Sequence, residues 1–180
     1  MAERKGDRTR AAILTAARER FASDGYERAT IRAIAADAAI DPAMVMRYYG
    51  NKEKLFAAAA EFDLQLPDFS AVRRDELGEA MIRHFLDRWE GDDTFRALLR
   101  AAVTNEAAAQ RIQGIFATQL APTLRELAVD EPVVRAGLVA TQVLGFALCR
   151  YILELPPIAA MSHDDAVAWL GPTLTRYLTS

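Results

Sequence analysis

Arg47 is the side chain of this 180-residue sequence whose type and setting best suit the reading of another polymer. Its guanidinium carries donors in a rigid fork that matches the O6/N7 acceptor pair of guanine. Met44, Arg47 and Tyr48 share one helical face at three- and four-residue spacing, with Pro42 and Ala43 at the leading end, while Val45 and Tyr49 lie on another. Lys52 follows in the first turn of the next helix, where a cation opposes the helix dipole. That is poor for helix stability but well suited to a phosphate beside the helix N-terminus. A nucleic-acid reading therefore assigns recognition to Pro42, Ala43, Met44, Arg47 and Tyr48. It gives phosphate contacts to Thr30, Tyr48 and Lys52, and counts Arg32 among the DNA-binding residues. The same spacings equally describe an ordinary amphipathic helix that leaves Arg47 and Tyr48 in solvent, and these residues alone do not separate the two.

The elements that would position this face are announced by two helix starts about ten residues apart. Thr30 precedes an Ile31/Ile34/Ala35/Ala38 stripe, and Asp41-Pro42 precedes AMVMRYY. A short oxygen-bearing side chain at the N-cap accepts a bond from an orphan helix N–H, and proline at the first helical position gives up a donor that was unpaired in any case. Ala38-Ala39-Ile40 leaves room only for a tight turn. Two short helices meeting steeply across such a turn form a helix-turn-helix, which lays its second helix in a DNA major groove.

From Arg8 to Leu55 the chain resembles the DNA-binding domain of the tetracycline-repressor (TetR) family. The marks are AAxxxFxxxGY at Ala16 to Tyr26, Thr30-Ile31, Ile34-Ala35, the Tyr48-Tyr49 pair and Lys52-Glu53-x-Leu55. In that family the lysine equivalent to Lys52 binds the DNA backbone. The resemblance also implies a C-terminal domain with a ligand pocket, whose last two helices pair with those of a second chain in a four-helix bundle. Two positions depart from the family pattern: Ala39 stands where the turn usually has glycine, and Met46 where the recognition helix usually has tyrosine.

Charge supports the first third as the DNA-facing part. The net charge is −3, but up to Ala60 eleven basic side chains face eight acidic ones, a balance of +3, and the remainder carries −6. Phosphate neutralisation needs local rather than overall positive charge. Cys149 is the only cysteine, which excludes an intrachain disulfide and a cysteine-rich zinc site. The charged N-terminus, with Arg4 and Lys5 in reach of phosphates or a minor groove, leads into no signal-type apolar core. No segment is read as a membrane span, so a cytoplasmic protein with no membrane partner is expected.

Abundant alanine, few Gly and Pro inside the periodic stretches, and the absence of strand-length alternation predict an all-α chain of about nine helices. The expected domains are a three-helix helix-turn-helix domain over 1–52 and an effector-binding and dimerisation domain over 53–180. Gly25 should end the first helix, Pro122 should kink or divide a helix over about 105–127, and Pro156-Pro157 should end a long helix that begins at Val133. Stripes of large apolar residues nominate Met81, Phe85, Trp89, Phe95, Leu99, Phe116, Leu120, Phe146 and Cys149 as lining for a small hydrophobic effector, with Arg100, Asn105, Gln142 or Arg150 as polar anchors. Core packing explains the same stripes without a ligand. Gly137, Thr141 and Gly145 form a small-residue stripe that invites another helix. With Leu144, Val167, Leu170 and Leu174 they are the expected homodimer interface.

Enzymatic readings find little support. His84 and His163 are far apart in sequence, Asp92-Asp93 and Asp164-Asp165 suit helix starts, and no phosphate loop or nucleophile elbow occurs. Neither a cofactor nor a metal is expected. The sequence therefore reads as a dimeric, ligand-responsive regulator, most simply a repressor, acting on a palindromic double-stranded DNA operator. The alternatives are a helical interaction protein or a small-molecule-binding protein without DNA binding.

Overall fold

The computed structural model describes residues 5–90 and 92–180, with only the backbone of Lys5 and Asp93. Arg4 of the expected N-terminal arm and the helix break at Gly91 lie outside the described residues. Lys5 and Gly6 are already helical. The described residues contain ten helices and no strand. These are α1 (Lys5–Arg28), α2 (Ile31–Asp37), α3 (Pro42–Tyr49), α4 (Lys52–Ala59), α5 (Leu77–Glu90), α6 (Asp93–Ala102), α7 (Glu106–Ile115) continuous with α8 (Ala121–Leu127), α9 (Pro132–Ala147), α10 (Pro156–Ala159) and α11 (His163–Thr179). The helix beyond the expected nine is α10. Pro156 and Pro157 do not simply stop the chain there but occupy the first positions of a one-turn helix, where a missing N–H is harmless.

Local chemistry sets most boundaries. Thr30 Oγ1 accepts from the Ala33 N–H at 3.1 Å, Asp41 Oδ1 from the Ala43 N–H at 2.7 Å and Asn51 Oδ1 from the Lys54 N–H at 2.8 Å, so α2, α3 and α4 are each capped. Ser162 caps α11 by accepting from the Asp165 N–H at 3.1 Å, while its hydroxyl donates to the Asp165 carboxylate at 2.6 Å. Gly25, at φ 76 and ψ 166, breaks the helical run of α1. The α7–α8 rod passes Pro122 through a π turn at Phe116–Leu120. One wider turn relieves the clash between the proline ring and the preceding turn's carbonyl. A second π turn, Leu148–Ile152, extends α9.

The turn between α2 and α3 is built without glycine. The Ile40 N–H reaches the Ala35 carbonyl at 2.9 Å and the Ala39 N–H reaches that of Ala36 at 3.1 Å, the paired bonds of a Schellman C-cap. That geometry requires a left-handed residue, and Ala39 supplies it at φ 54.

Packing divides the chain into two compact units, 1–62 with 92–112, and 63–91 with 113–180. This division differs from the expected 1–52 and 53–180 because α4 and α6 both pack on α1. In the first unit Phe21 meets Phe56 edge-on with ring centres 5.0 Å apart, and Tyr26 meets Phe56 at the same distance. The Arg100 guanidinium donates to the Ala22 and Ser23 carbonyls at 2.8 and 3.4 Å, so α6 closes the end of α1.

In the second unit α5 lies against α11. The glycines that permit this approach are Gly78 and Gly171. A Cβ on Gly78 would overlap the Gly171 carbonyl oxygen and stand 2.6 Å from the Thr175 nitrogen, and the Gly78 N–H donates to Thr175 Oγ1 at 3.0 Å. Gly137 and Gly145 have open space where a side chain would go.

One expectation fails outright. With its π turn, α9 runs over the 21 residues Pro132–Ile152 and is by length and composition apolar enough to cross a membrane, against the expectation of no such segment. Arg135 and Arg150 bracket it, and the alanines, glycines and threonine between them, though small, carry no charge. It packs on α8 and α11 through Ala136, Val139, Ala140, Val143 and Phe146, and only 28% of its most apolar window is buried.

A left-handed alanine costs about 1 kcal/mol relative to glycine. Ala39→Gly should therefore raise unfolding stability by about that amount in urea titrations. Gly78→Ala should lower it by about 3 kcal/mol, at the upper end of overpacking costs, because the atoms it meets are backbone.

Candidate nucleic-acid interface

The eight residues of α3 are anchored by one of them. Val45 is 0% exposed, whereas Pro42, Ala43 and Arg47 are exposed, Met46 is 44% exposed and Met44 is half-buried. The outward face is thus centred on Ala43 and Arg47, one turn apart, with Met46 on its flank. Met46 was missing from the expected recognition set. Tyr48, which was in it, is half-buried. Its ring centre lies 5.6 Å from the Arg10 guanidinium and 5.8 Å from that of Arg47. Tyr49 turns inward and donates from its hydroxyl to the Arg10 carbonyl at 3.4 Å, and burial raises its pKa.

The other proposed DNA contacts lie at the starts of α2 and α4. Thr30 and Arg32 are exposed at the start of α2. The Thr30 oxygen is used as a cap acceptor, which leaves its hydroxyl proton available to a phosphate oxygen. Lys52, at the first position of α4, donates to the Glu27 carbonyl at 3.1 Å and lies 4.4 Å over the Tyr26 ring. Two of its three N–H groups remain for an anion. Tyr26 itself is pushed up to about 12, first by burial and then by its contact with Glu53.

One orienting contact was not evident in the sequence. Arg20 of α1 grips Asp37, the last residue of α2, with Nε to Oδ2 at 2.8 Å and Nη2 to Oδ1 at 2.7 Å, and also reaches Asp24 at 3.1 Å. The bond from Arg20 holds the Asp24 carboxyl below its usual value, and those to Asp37 and then Asp24 raise Arg20. A two-pronged grip fixes direction as well as distance, so the angle at which α2 delivers the turn to α3 is set from α1. Arg20/Asp24 spacing was readable as a helix pair, but Asp37 enters only through the tertiary fold.

With this geometry in view, comparison with known proteins is decisive. Residues 13–59 match the family described as bacterial regulatory proteins, tetR family, and residues 75–178 match the tetracyclin repressor-like C-terminal domain. The chain belongs to the TetR family. A TetR-family regulator from Streptomyces coelicolor A3 is 30% identical over 100% of both chains, with a TM-score of 0.68. NalD, the secondary repressor of the MexAB-OprM multidrug efflux pump in Pseudomonas aeruginosa, is 21% identical over 97% of this chain and 98% of its own, with a TM-score of 0.70. No curated protein matches by sequence. As a TetR-family member the chain is a DNA-binding transcription regulator with a dimerisation domain, in a non-enzymatic family.

The effector and dimer residues nominated from sequence fall into distinct settings within this TetR-family fold. Met81, Phe85, Trp89, Leu120 and Phe146 are buried in the second unit, where the Phe85 and Trp89 rings stack at 5.3 Å, and Phe116 and Cys149 are half-buried there. Phe95 and Leu99 are buried in the first unit instead. Phe146 and Cys149 line an open groove of about 330 Å³ with Thr141, Gln142, Gly145, Ile158 and Leu170, so residues assigned to ligand and to dimer share one groove. Of the suggested anchors, only Gln142 faces it. Arg150 is bound to Glu90 at 3.1 Å and to the Ile158 and Met161 carbonyls, Asn105 caps α7 and Arg100 closes α1. Among the dimer residues, Thr141 and Gly145 are exposed and Gly137, Leu144 and Leu170 half-buried. Val167 and Leu174 lie inside the second unit, on the side of α11 that carries Gly171, and are not on an open face.

Lys52→Ala should weaken binding to all DNA sequences alike and lower the slope of log affinity against log salt by about one unit. Fluorescence anisotropy titrations at several salt concentrations measure both. An unchanged slope would remove Lys52 from the phosphate contacts.

Proposed function

We propose that this TetR-family regulator is a ligand-responsive repressor that binds a palindromic operator as a cytoplasmic homodimer. The observation that carries the reading is the outward face of α3, where Val45 alone is buried and Ala43, Met46 and Arg47 stand clear of the core. Arg47 on this face is assigned a bidentate contact to guanine, a contact typically worth about 1–3 kcal/mol of discrimination. The repressor sense draws on the description of NalD as a repressor.

Dimerisation is supported by the open apolar strip on α9 and α11. Val134 is 57% exposed, Leu138 41% and Trp169 74%, beside the open Gly137 and Gly145. A palindromic operator requires two recognition helices about 34–36 Å apart, one turn of DNA, and a two-fold axis is the simple way to relate them. The apolar length of α9 is then covered by a second chain rather than by lipid. An effector is assigned to the groove with Phe146, Cys149 and Gln142, and a mainly hydrophobic molecule fits its lining. It would act only by its difference in affinity between the DNA-fitting state and another.

A gel shift of the purified chain with its own upstream DNA tests the operator reading, and a symmetric footprint is expected. Gly137→Leu with Gly145→Leu should convert the dimer to monomer in sedimentation. A double variant that stays dimeric would place the interface elsewhere. An effector with the usual coupling of about 1–3 kcal/mol should lower operator affinity roughly 5–150-fold.

A further inference from the structure

We infer that Met46 is a specificity residue that reads the 5-methyl group of a thymine lying within about two base-pair steps of the guanine contacted by Arg47. The inference rests on the assignment of α3 to the major groove and of Arg47 to guanine. Its first support is what the helix lacks. The segment PAMVMRYY contains no Asn, Gln, Ser or Thr and no carboxylate, so α3 offers no amide to pair with adenine and no acid to accept from cytosine. Asp41, just ahead of it, is the cap of α3, with Oδ1 accepting from the Ala43 N–H at 2.7 Å, and lies before the helical face rather than on it. The tyrosine hydroxyls do not fill the gap. That of Tyr49 donates to the Arg10 carbonyl, and the half-buried Tyr48, whose ring lies by the Arg10 and Arg47 guanidinium groups, is the candidate for a phosphate rather than a base.

What α3 does present outward is one guanidinium and apolar surface. Met46, on the flank of the outward face, is a large apolar side chain left 44% exposed on a helix whose core-facing side is sealed by Val45. In the major groove the single apolar group that distinguishes one base pair from another is the thymine methyl. A thioether is unbranched, polarizable and long enough to close on a methyl over a range of positions. Along the helix Met46 and Arg47 differ in rise by about 1.5 Å and Ala43 and Arg47 by about 6 Å, against about 3.4 Å per base pair, which puts the methyl and the guanine in neighbouring steps. Ala43, with one methyl close to the backbone, allows the helix to sit near enough for this contact.

The test uses the full-length protein and the duplex it selects from a random pool. Each thymine of one half-site is replaced in turn by deoxyuridine, which removes only the 5-methyl, and the affinity is measured by anisotropy. One position, within about two steps of a guanine that cannot be replaced by 7-deazaguanine, should weaken binding about fourfold, the worth of one buried methyl. Substitution in both half-sites should weaken it about fifteenfold, since distant contacts combine independently. Met46→Ala and Met46→Gln should bind with no sensitivity at that position while keeping the guanine requirement, and Met46→Leu should retain it. Sensitivity that survives Met46→Ala and vanishes in Ala43→Gly would overturn the assignment to Met46, as would indifference to deoxyuridine throughout. Loss of the 7-deazaguanine effect with the deoxyuridine effect intact would overturn the Arg47 reading instead. A chain that selects no duplex overturns both.

Discussion

An eight-residue helix has almost no stability of its own in water, since nucleating a helix costs more than so few bonds return. The recognition helix therefore exists only because other parts of the chain hold it. Val45 supplies one fully buried side chain, Asp41 satisfies an orphan N–H, Pro42 removes another, and the Schellman turn through Ala39 fixes where the helix begins. Each is small, and the rest of the interface depends on their acting together. Because Val45 carries most of the anchoring, with Tyr49 turned inward beside it, Ala43, Met46 and Arg47 are left on the outward face. A longer helix with a full apolar stripe would be more stable and would show less to a partner.

The same constraint explains why α2 matters as much as α3. The angle between two short helices is not set by their contact alone, and here it is referred back to α1 by the fork of Arg20 on Asp37. Both side chains are about a third exposed, so the pair adds more to direction than to overall stability. Lys52 belongs to this logic too. Held by the Glu27 carbonyl and the Tyr26 face, its ammonium is fixed in place, so the proposed phosphate contact would need little further ordering.

Much of this was legible in the residues because it is local. Thr30, Asp41, Asn51 and Ser162 all cap the helices that their side chains announce, and Gly25 and Pro122 interrupt theirs where the covalent geometry demands it. What sequence could not convey is which of several equivalent small or apolar residues meets which surface. Gly78 and Gly171, not Gly137 and Gly145, carry the tight intrachain helix contact, and a stripe at four-residue spacing does not say whether its neighbour belongs to the same chain or another. Val167 and Leu174 fit the helical period of an interface and of a core equally well, and they fill the core. Met46 stands out in the sequence as a departure from the family pattern, but its residue type alone does not say whether it packs or faces outward. Helix geometry holds it about 100° from Val45, so it falls on the flank of the outward face once Val45 is the buried residue, and that choice is made by tertiary packing. The charge-free stretch of α9 was underrated because alanine, glycine and threonine look unremarkable singly and are apolar in sum.

The two compact units interleave along the chain: the first takes 1–62 and 92–112, and the second takes what lies between and after. The polypeptide thus passes from one unit to the other three times, and α6, which closes the end of α1 through Arg100, is encoded well downstream of the helix-turn-helix it supports. For inheritance this means that the headpiece is not a contiguous cassette. A recombination joining the first sixty residues of one relative to the remainder of another would import a foreign α6 beneath the native α1, with no guarantee that an arginine would meet the Ala22 carbonyl. Point changes at the exposed Ala43, Met46 and Arg47 of α3, by contrast, leave the packing of α6 on α1 untouched.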